Sequence, residues 1–120
     1  MWEVNWVVHQ IDDIIRFVDI NILNKESPNY EEILAGCTTA DMLHSKLVLM
    51  IENHNFCKAQ NFLYKHMDTK SPRHLEVVID FYSRLNQLDK KTLEKNGLTR
   101  DDLKAGLCYA IDAFGITVFS

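Results

Sequence analysis

The chain has 120 residues, of which 47% are hydrophobic and 25% charged, values that are typical of one folded domain and exclude a disordered chain. Its formal net charge of -4 at pH 7 would repel phosphate backbones, so we expect no nucleic-acid partner. Only 4 glycines and 2 prolines occur, which favours helices over a turn-rich β fold.

Cysteine usage and hydropathy indicate the compartment. The cysteines Cys37, Cys57 and Cys108 are widely spaced and odd in number, which suits reduced, mostly buried thiols in a cytosol better than a disulfide framework. Acidic residues interrupt the apolar N-terminus, and no run approaches the roughly 18 apolar residues of a membrane span. We therefore expect a soluble, cytoplasmic protein with no export signal and no membrane partner.

The first predicted element is an amphipathic helix over residues 2–23. Apolar residues recur at the three- and four-residue spacing of one helix face. These residues are Val4, Val7, Val8, Ile11, Ile14, Ile15, Val18 and Ile22. We expect this face to pack on the core of its own subunit.

The same helix has a second set of large apolar residues on its opposite side, with one acid among them. The set comprises Trp2, Trp6, Asp13, Phe17 and Ile20. Exposed aromatic clusters mark interfaces, where tryptophan is over-represented among the residues that dominate binding. Either another chain or more of the same chain can cover this face. A membrane surface is the third candidate, but the acids Asp12, Asp13 and Asp19 have the wrong charge for anionic lipid.

Residues 24–38 are predicted to form a connector. The stretch is polar, and Ser27 should be extended because it precedes Pro28. A connector of this length lets the first helix pack far from its neighbour in sequence, or on another chain.

Residues 39–120 should form a stack of helices that begins with a hairpin. A helix from Ala40 to about Asn53, capped by Thr38 or Thr39, precedes a tight turn at residues 53–56 and a second helix over 57–67. Two helices joined by so short a turn are antiparallel neighbours.

Three more helices are predicted after this hairpin. Ser71-Pro72 starts the first, which is apolar on more than one side and should lie sandwiched between neighbours. A short helix after Asp89 ends at Gly97, and the last helix runs from a Thr99 cap to Gly115. Residues 116–120 are apolar and β-branched, so we expect an extended strap over the helices.

No stretch shows several strands with alternating hydrophobicity, so the fold class is predicted to be all-α. We expect a single helical domain over residues 1–120, in which five to six helices stack as antiparallel hairpins. Phe56, Ala59, Phe62 and Leu63 have the spacing of half a tetratricopeptide repeat, whose full period is about 34 residues. An ordinary antiparallel helix pair also favours alanine at a close crossing, so both interpretations stay open.

The residue patterns over 6–17, 50–63 and 75–86 extend the comparison to most of the chain. They resemble a family of small bacterial proteins of unknown function, whose members join an N-terminal amphipathic helix to a tetratricopeptide-like helical part. The resemblance implies a fold, but no activity and no catalytic residues. The turn at residues 53–56 departs from the glycine-containing turn that the resemblance implies.

The candidate chemistry is sparse. His9 and Asp13 share a helix face at the i, i+4 spacing of a metal or acid–base pair, but the sequence offers no third ligand at a recognised spacing. His54 and Cys57 straddle the predicted turn, which favours an ordinary histidine beside a buried thiol over a nucleophilic pair. We expect His66 to face the core and His74 to lie at the surface.

These observations favour a non-catalytic interaction or scaffold protein with no cofactor and no metal. Its first partner would be a second copy, through the face formed by Trp2, Trp6, Asp13, Phe17 and Ile20, because a large exposed apolar patch is unusual on a monomer. Docking of another protein's helix is a related alternative. The alternative from another class is a ligand-binding module or enzyme with an interhelical pocket near Tyr82, His54 or His66.

Overall fold

The structure, a computed structural model, describes residues 6–18, 20 and 39–116. These residues form six α-helices and no strand, so the all-α prediction is confirmed. The helices are α1 (Trp6–Val18), α2 (Thr39–Glu52), α3 (Phe56–His66), α4 (Pro72–Asn86), α5 (Lys90–Lys95) and α6 (Arg100–Ala113). The predicted connector over 24–38 and most of the predicted C-terminal strap lie outside the described residues.

Helix α4 is the centre of the fold. It starts where the sequence predicts, because Ser71 caps it by accepting a hydrogen bond from the His74 N–H at 3.4 Å and Pro72 fills the first turn. It contacts α1, α2 and α6, as expected for a helix that is apolar on more than one side. Its buried residues are His74, Leu75, Val77, Val78, Ile79, Phe81, Tyr82, Leu85 and Asn86.

The α2–α3 hairpin is closed by a tight turn in which His54 has a φ of 58°. His54 occupies the left-handed region that glycine favours. The turn is held by backbone bonds from His54 N to Ile51 O and from Asn55 N to Met50 O, both 2.9 Å long. The hairpin packs around Ala59, which is fully buried.

Local signals set the ends of the last two helices. Thr99 and Asp102 form a capping box at the start of α6, in which each backbone N–H donates to the other side chain at 3.0 Å. Gly97 follows α5 with a φ of 84°, and Gly115 follows α6 with a φ of 81°. Both left-handed residues stand where the sequence predicts a helix end.

Candidate interaction surface

The inner face of α1 packs on the rest of the chain as predicted. Ile11, Ile14 and Val18 are completely buried in the same apolar cluster as α4 and α6. Val7 and Ile15 pack against the edge of that cluster. One face of α1 therefore packs inside the subunit, and the opposite face does not take part in this core.

A buried polar group fixes α1 in place. Asn86 of α4, only 5% exposed, donates from Nδ2 to the Val8 carbonyl oxygen at 3.2 Å and to Asp12 Oδ1 at 3.0 Å. On the side of α6, Lys104 Nζ donates to Gln10 Oε1 at 2.9 Å. These bonds specify the rotation of α1 about its axis, since a turned helix would lose them.

Arg100 of α6 also forms hydrogen bonds with Asn86. Its Nη1 donates to the Asn86 carbonyl oxygen at 2.8 Å and to Asn86 Oδ1 at 3.3 Å, and its Nη2 donates to the Leu88 carbonyl oxygen. The guanidinium thereby satisfies carbonyl groups at the C-terminal end of α4, where the helix dipole favours a positive charge. The Asn86 side chain is thus oriented by both α1 and α6.

The outer face of α1 consists of exposed residues. Phe17 is 39% exposed and Ile20 is 64% exposed, and the exposed Asp13 lies one turn before Phe17. Trp2 and the side chain of Trp6 lie outside the described residues, so their place on this face stays a prediction. We call Asp13, Phe17 and Ile20, with the exposed Arg16 beside them, the outer face.

The outer face carries one acidic and one basic residue. Asp13 and Arg16 are both exposed, and neither forms an ion pair within the described residues. The outer face therefore combines apolar area with two charges of opposite sign. None of the described helices is long and apolar enough to cross a membrane.

His9 and Asp13, the pair with metal-like spacing, gain no third ligand among the described residues. His9 and Asp13 are both exposed on α1. Among the residues that the structure describes, no group of three or more His, Cys, Asp or Glu side chains could hold a metal ion.

The predicted burial of Cys57 is wrong. Cys57 is exposed, and its Sγ lies 3.7 Å from the Gly97 carbonyl oxygen as a weak donor. The neighbouring His54 ring stacks at 5.5 Å from the Phe56 ring rather than on the thiol. Cys108 is half-buried, and burial raises the pKa of its thiol despite the opposing charge of Lys104. Cys37 lies outside the described residues.

The predictions for His66 and His74 are both wrong: His66 lies at the surface and His74 is buried. His66 is exposed, with its ring 4.3 Å from that of Phe62. His74 is 4% exposed, because its Nε2 pairs with Thr39 Oγ1 at 3.1 Å and its Nδ1 accepts from the Asp68 N–H at 2.9 Å. A histidine with both ring nitrogens paired is a structural link between α2 and α4.

The Tyr82 hydroxyl lies in a cluster of polar side chains. It is 2.6 Å from Gln60 Oε1 and 2.5 Å from the Tyr64 hydroxyl. Burial is the main cause that raises the pKa of Tyr82 above its ordinary value, and Tyr64 adds to it. A Cβ at Gly106 of α6 would lie 2.4 Å from Gln60 Oε1 and 2.6 Å from the Tyr82 hydroxyl, so glycine lets α6 close over this cluster.

A network of charges between α2 and α4 has no counterpart among the predicted sites. His44 Nε2 lies 2.5 Å from Asp80 Oδ2, which also accepts from Arg84 Nε at 2.6 Å. Arg73 joins Asp41 at 3.0 Å. The i, i+4 spacing of Asp80 and Arg84 is visible in the sequence, but the partners on α2 are more than 30 positions away along the chain.

Comparison with known proteins identifies a family and no activity. A family model described as a family of unknown function (DUF6483) matches residues 1–115. No curated protein and no solved structure matches the chain. The family match includes all three stretches that carry the predicted resemblance, and it also includes the connector between α1 and α2.

Proposed function

Because this chain belongs to DUF6483, a family of unknown function, we propose its role from its surface: it is a non-catalytic interaction protein that pairs with a second copy through the outer face of α1. We place it in the cytoplasm, where the exposed Cys57 thiol would stay reduced. We also propose that α2, α3 and α4 stack in a tetratricopeptide-like manner, which the buried Ala59 between antiparallel helices supports.

The exposure of Phe17 and Ile20 carries this proposal. The two side chains are 39% and 64% exposed on a helix whose other face carries three completely buried residues. Fully burying a Phe or Ile side chain contributes roughly 1.5–3 kcal/mol. A second copy would supply that burial twice, since a two-fold interface uses the same residues from both subunits.

The charges of the outer face favour a second copy over an unrelated partner. Each copy offers the same acid and the same base, so Asp13 of one copy can pair with Arg16 of the other. The symmetry repeats the pair, so the two acids and the two bases are matched. Asp13 and Arg16 have no ion-pair partner among the described residues and are available for this exchange.

Light scattering with a matched pair of double variants tests the proposal. We expect the wild-type chain to have the mass of a dimer and Phe17→Glu/Ile20→Glu to have the mass of a monomer with the same circular dichroism. Met42→Glu/Leu49→Glu is the control, because it places the same charges on exposed apolar residues of α2. A monomeric wild-type chain, or a dimeric outer-face variant, would refute the proposal.

A charge exchange tests the predicted pairing of Asp13 with Arg16. Asp13→Arg and Arg16→Asp should each weaken the dimer by about two- to thirtyfold, because each removes two exposed ion pairs of about 0.2–1 kcal/mol. The double variant Asp13→Arg/Arg16→Asp should restore the wild-type dissociation constant. Failure of this rescue would exclude an Asp13–Arg16 pair between the two copies.

A further inference from the structure

A cleft between α2 and α3 forms a second surface feature, separate from the outer face of α1. Its volume is about 440 Å³, within the roughly 300–1,000 Å³ of small-molecule sites. Within the described part of the chain, it is lined by Thr39, Met42, Leu43, Lys46, Phe62 and His66. Of the three residues considered for the alternative interhelical pocket, His66 lines this cleft, whereas Tyr82 and His54 do not.

The wall of the cleft is apolar and adaptable. Leu43 is 5% exposed and forms part of the core, while Phe62 is half-buried with its ring against His66. Met42 is 67% exposed, so an apolar, flexible side chain stands in water at the edge of the cleft. Methionine can adjust its shape to fit an apolar ligand.

Each helix adds one basic residue to this wall. Lys46 lies one turn after Met42 on α2, and His66 lies one turn after Phe62 on α3. Both are exposed, and neither forms an ion pair with any described residue. His74 Nε2 donates to the Thr39 hydroxyl oxygen, because its Nδ1 accepts from the Asp68 N–H, so the Thr39 O–H can still donate and adds to Lys46 and His66 as a group that can bind an anion.

We propose that this cleft binds a small amphipathic carboxylate, of the class of medium-chain fatty acids. The tail would lie on Met42, Leu43 and Phe62, and the carboxylate would accept hydrogen bonds from Lys46 and from a His66 N–H. An apolar wall with a few convergent polar groups is the usual composition of such a site. The unpaired basic groups select an acid over an alcohol of the same length.

Titrations with octanoate and 1-octanol test both parts of the proposal. We expect octanoate to shift the amide signals of Met42, Lys46 and Phe62 saturably and to bind at least about tenfold tighter than octanol. Lys46→Met should remove that preference and leave octanol binding unchanged. Lys91→Met, at an exposed lysine on α5 outside the cleft, should behave like the wild-type chain.

The apolar wall is tested by Met42→Glu, with Leu49→Glu as its control on the same helix. Both side chains are exposed, so both variants should fold, but only Met42 lines the cleft. We expect Met42→Glu to lower octanoate affinity by about tenfold or more and Leu49→Glu to leave it unchanged. Equal affinities for octanoate and octanol, or no saturable shift, would overturn the proposal. Neither result depends on self-association, which is measured separately by mass.

Discussion

Asn86 of α4 and Asp12 of α1 are joined by a hydrogen bond of 3.0 Å from Nδ2 to Oδ1 across 74 positions of the chain. Asn86 is buried and also reaches the Val8 carbonyl oxygen, while Arg100 contacts it from α6. Three helices therefore meet at one side-chain amide. Its removal should loosen α1 before it affects the rest of the fold.

We expect Asn86→Ala to lower the free energy of unfolding by about 1–3 kcal/mol. The Val8 carbonyl oxygen, Asp12 and Arg100 would then lose their hydrogen bonds to the buried amide. Urea denaturation measures this loss, and hydrogen exchange should show α1 losing protection before α4. Asn61→Ala, at an exposed asparagine on α3, is the control and should change little. Unaltered exchange in α1 would show that the amide does not hold it.

Gly106→Ala should destabilise the fold even though alanine is the better helix former. The new Cβ would fall 2.4–2.7 Å from Gln60 Oε1 and the hydroxyls of Tyr82 and Tyr64. Overpacking of this kind costs about 1–3 kcal/mol. In a Tyr64→Phe background the loss should be smaller, and thermal or urea unfolding of the four proteins in this cycle measures the difference. An equal loss in both backgrounds would contradict the proposed contact.

His54→Gly should raise the free energy of unfolding by about 0.5–1 kcal/mol. The left-handed backbone costs an ordinary residue about 1–2 kcal/mol, and the greater entropy that glycine loses on folding offsets part of that gain. His54→Ala removes the ring contact with Phe56 but keeps the strain, so it should be the less stable of the two variants. Urea denaturation of both variants gives the comparison. If alanine is the more stable, the turn is not left-handed in solution.

The Asp80 carboxylate should make the free energy of unfolding depend on pH in the acid range. Burial works to raise the pKa of Asp80, but the hydrogen bonds and charges of Arg84 and His44 together lower it below its ordinary value. The unfolded chain therefore takes up this proton first as the pH falls, so the stabilisation is present above an ordinary Asp pKa of about 3.9 and is lost below it.

Denaturation of Asp80→Asn and the wild-type chain between pH 6 and pH 2.5 measures this dependence. The wild-type advantage at pH 6 should be under about 1 kcal/mol, because solvent screens a pair that is 34% and 40% exposed. The advantage should vanish near the acid limit. Asp112→Asn, an exposed acid on α6 with no ion pair in the described residues, should show no such trend.

Helix ends could be predicted from sequence because the groups that form them are neighbours in the chain. Ser71, Thr99 and Gly97 act within a few residues, and the structure shows each at the predicted helix end. The periodicity of α1 likewise identified its buried face, since Ile11, Ile14 and Val18 repeat at helical spacing.

Burial at the edge of a helix could not be predicted in the same way. In α3 the core face is Phe56, Ala59 and Leu63, so Phe62 and His66 fall on its edge and line the cleft instead of the interior. His74 is buried by partners 35 and 6 positions away. Which residues cover the edge of a helix depends on the angle and position at which a second helix crosses it. The periodicity of one helix carries no information about that crossing.

The dependence of α1 on Asn86 and Arg100 also sets an order of events during synthesis. Helix α1 leaves the ribosome before α4, and its polar attachment points lie 74 or more positions later. At about 5–20 residues per second, roughly 4–15 seconds pass before Asn86 is made. During that interval Ile11, Ile14 and Val18 have no α4 to cover them, so the nascent chain offers an apolar helix to chaperones or to a neighbouring nascent copy.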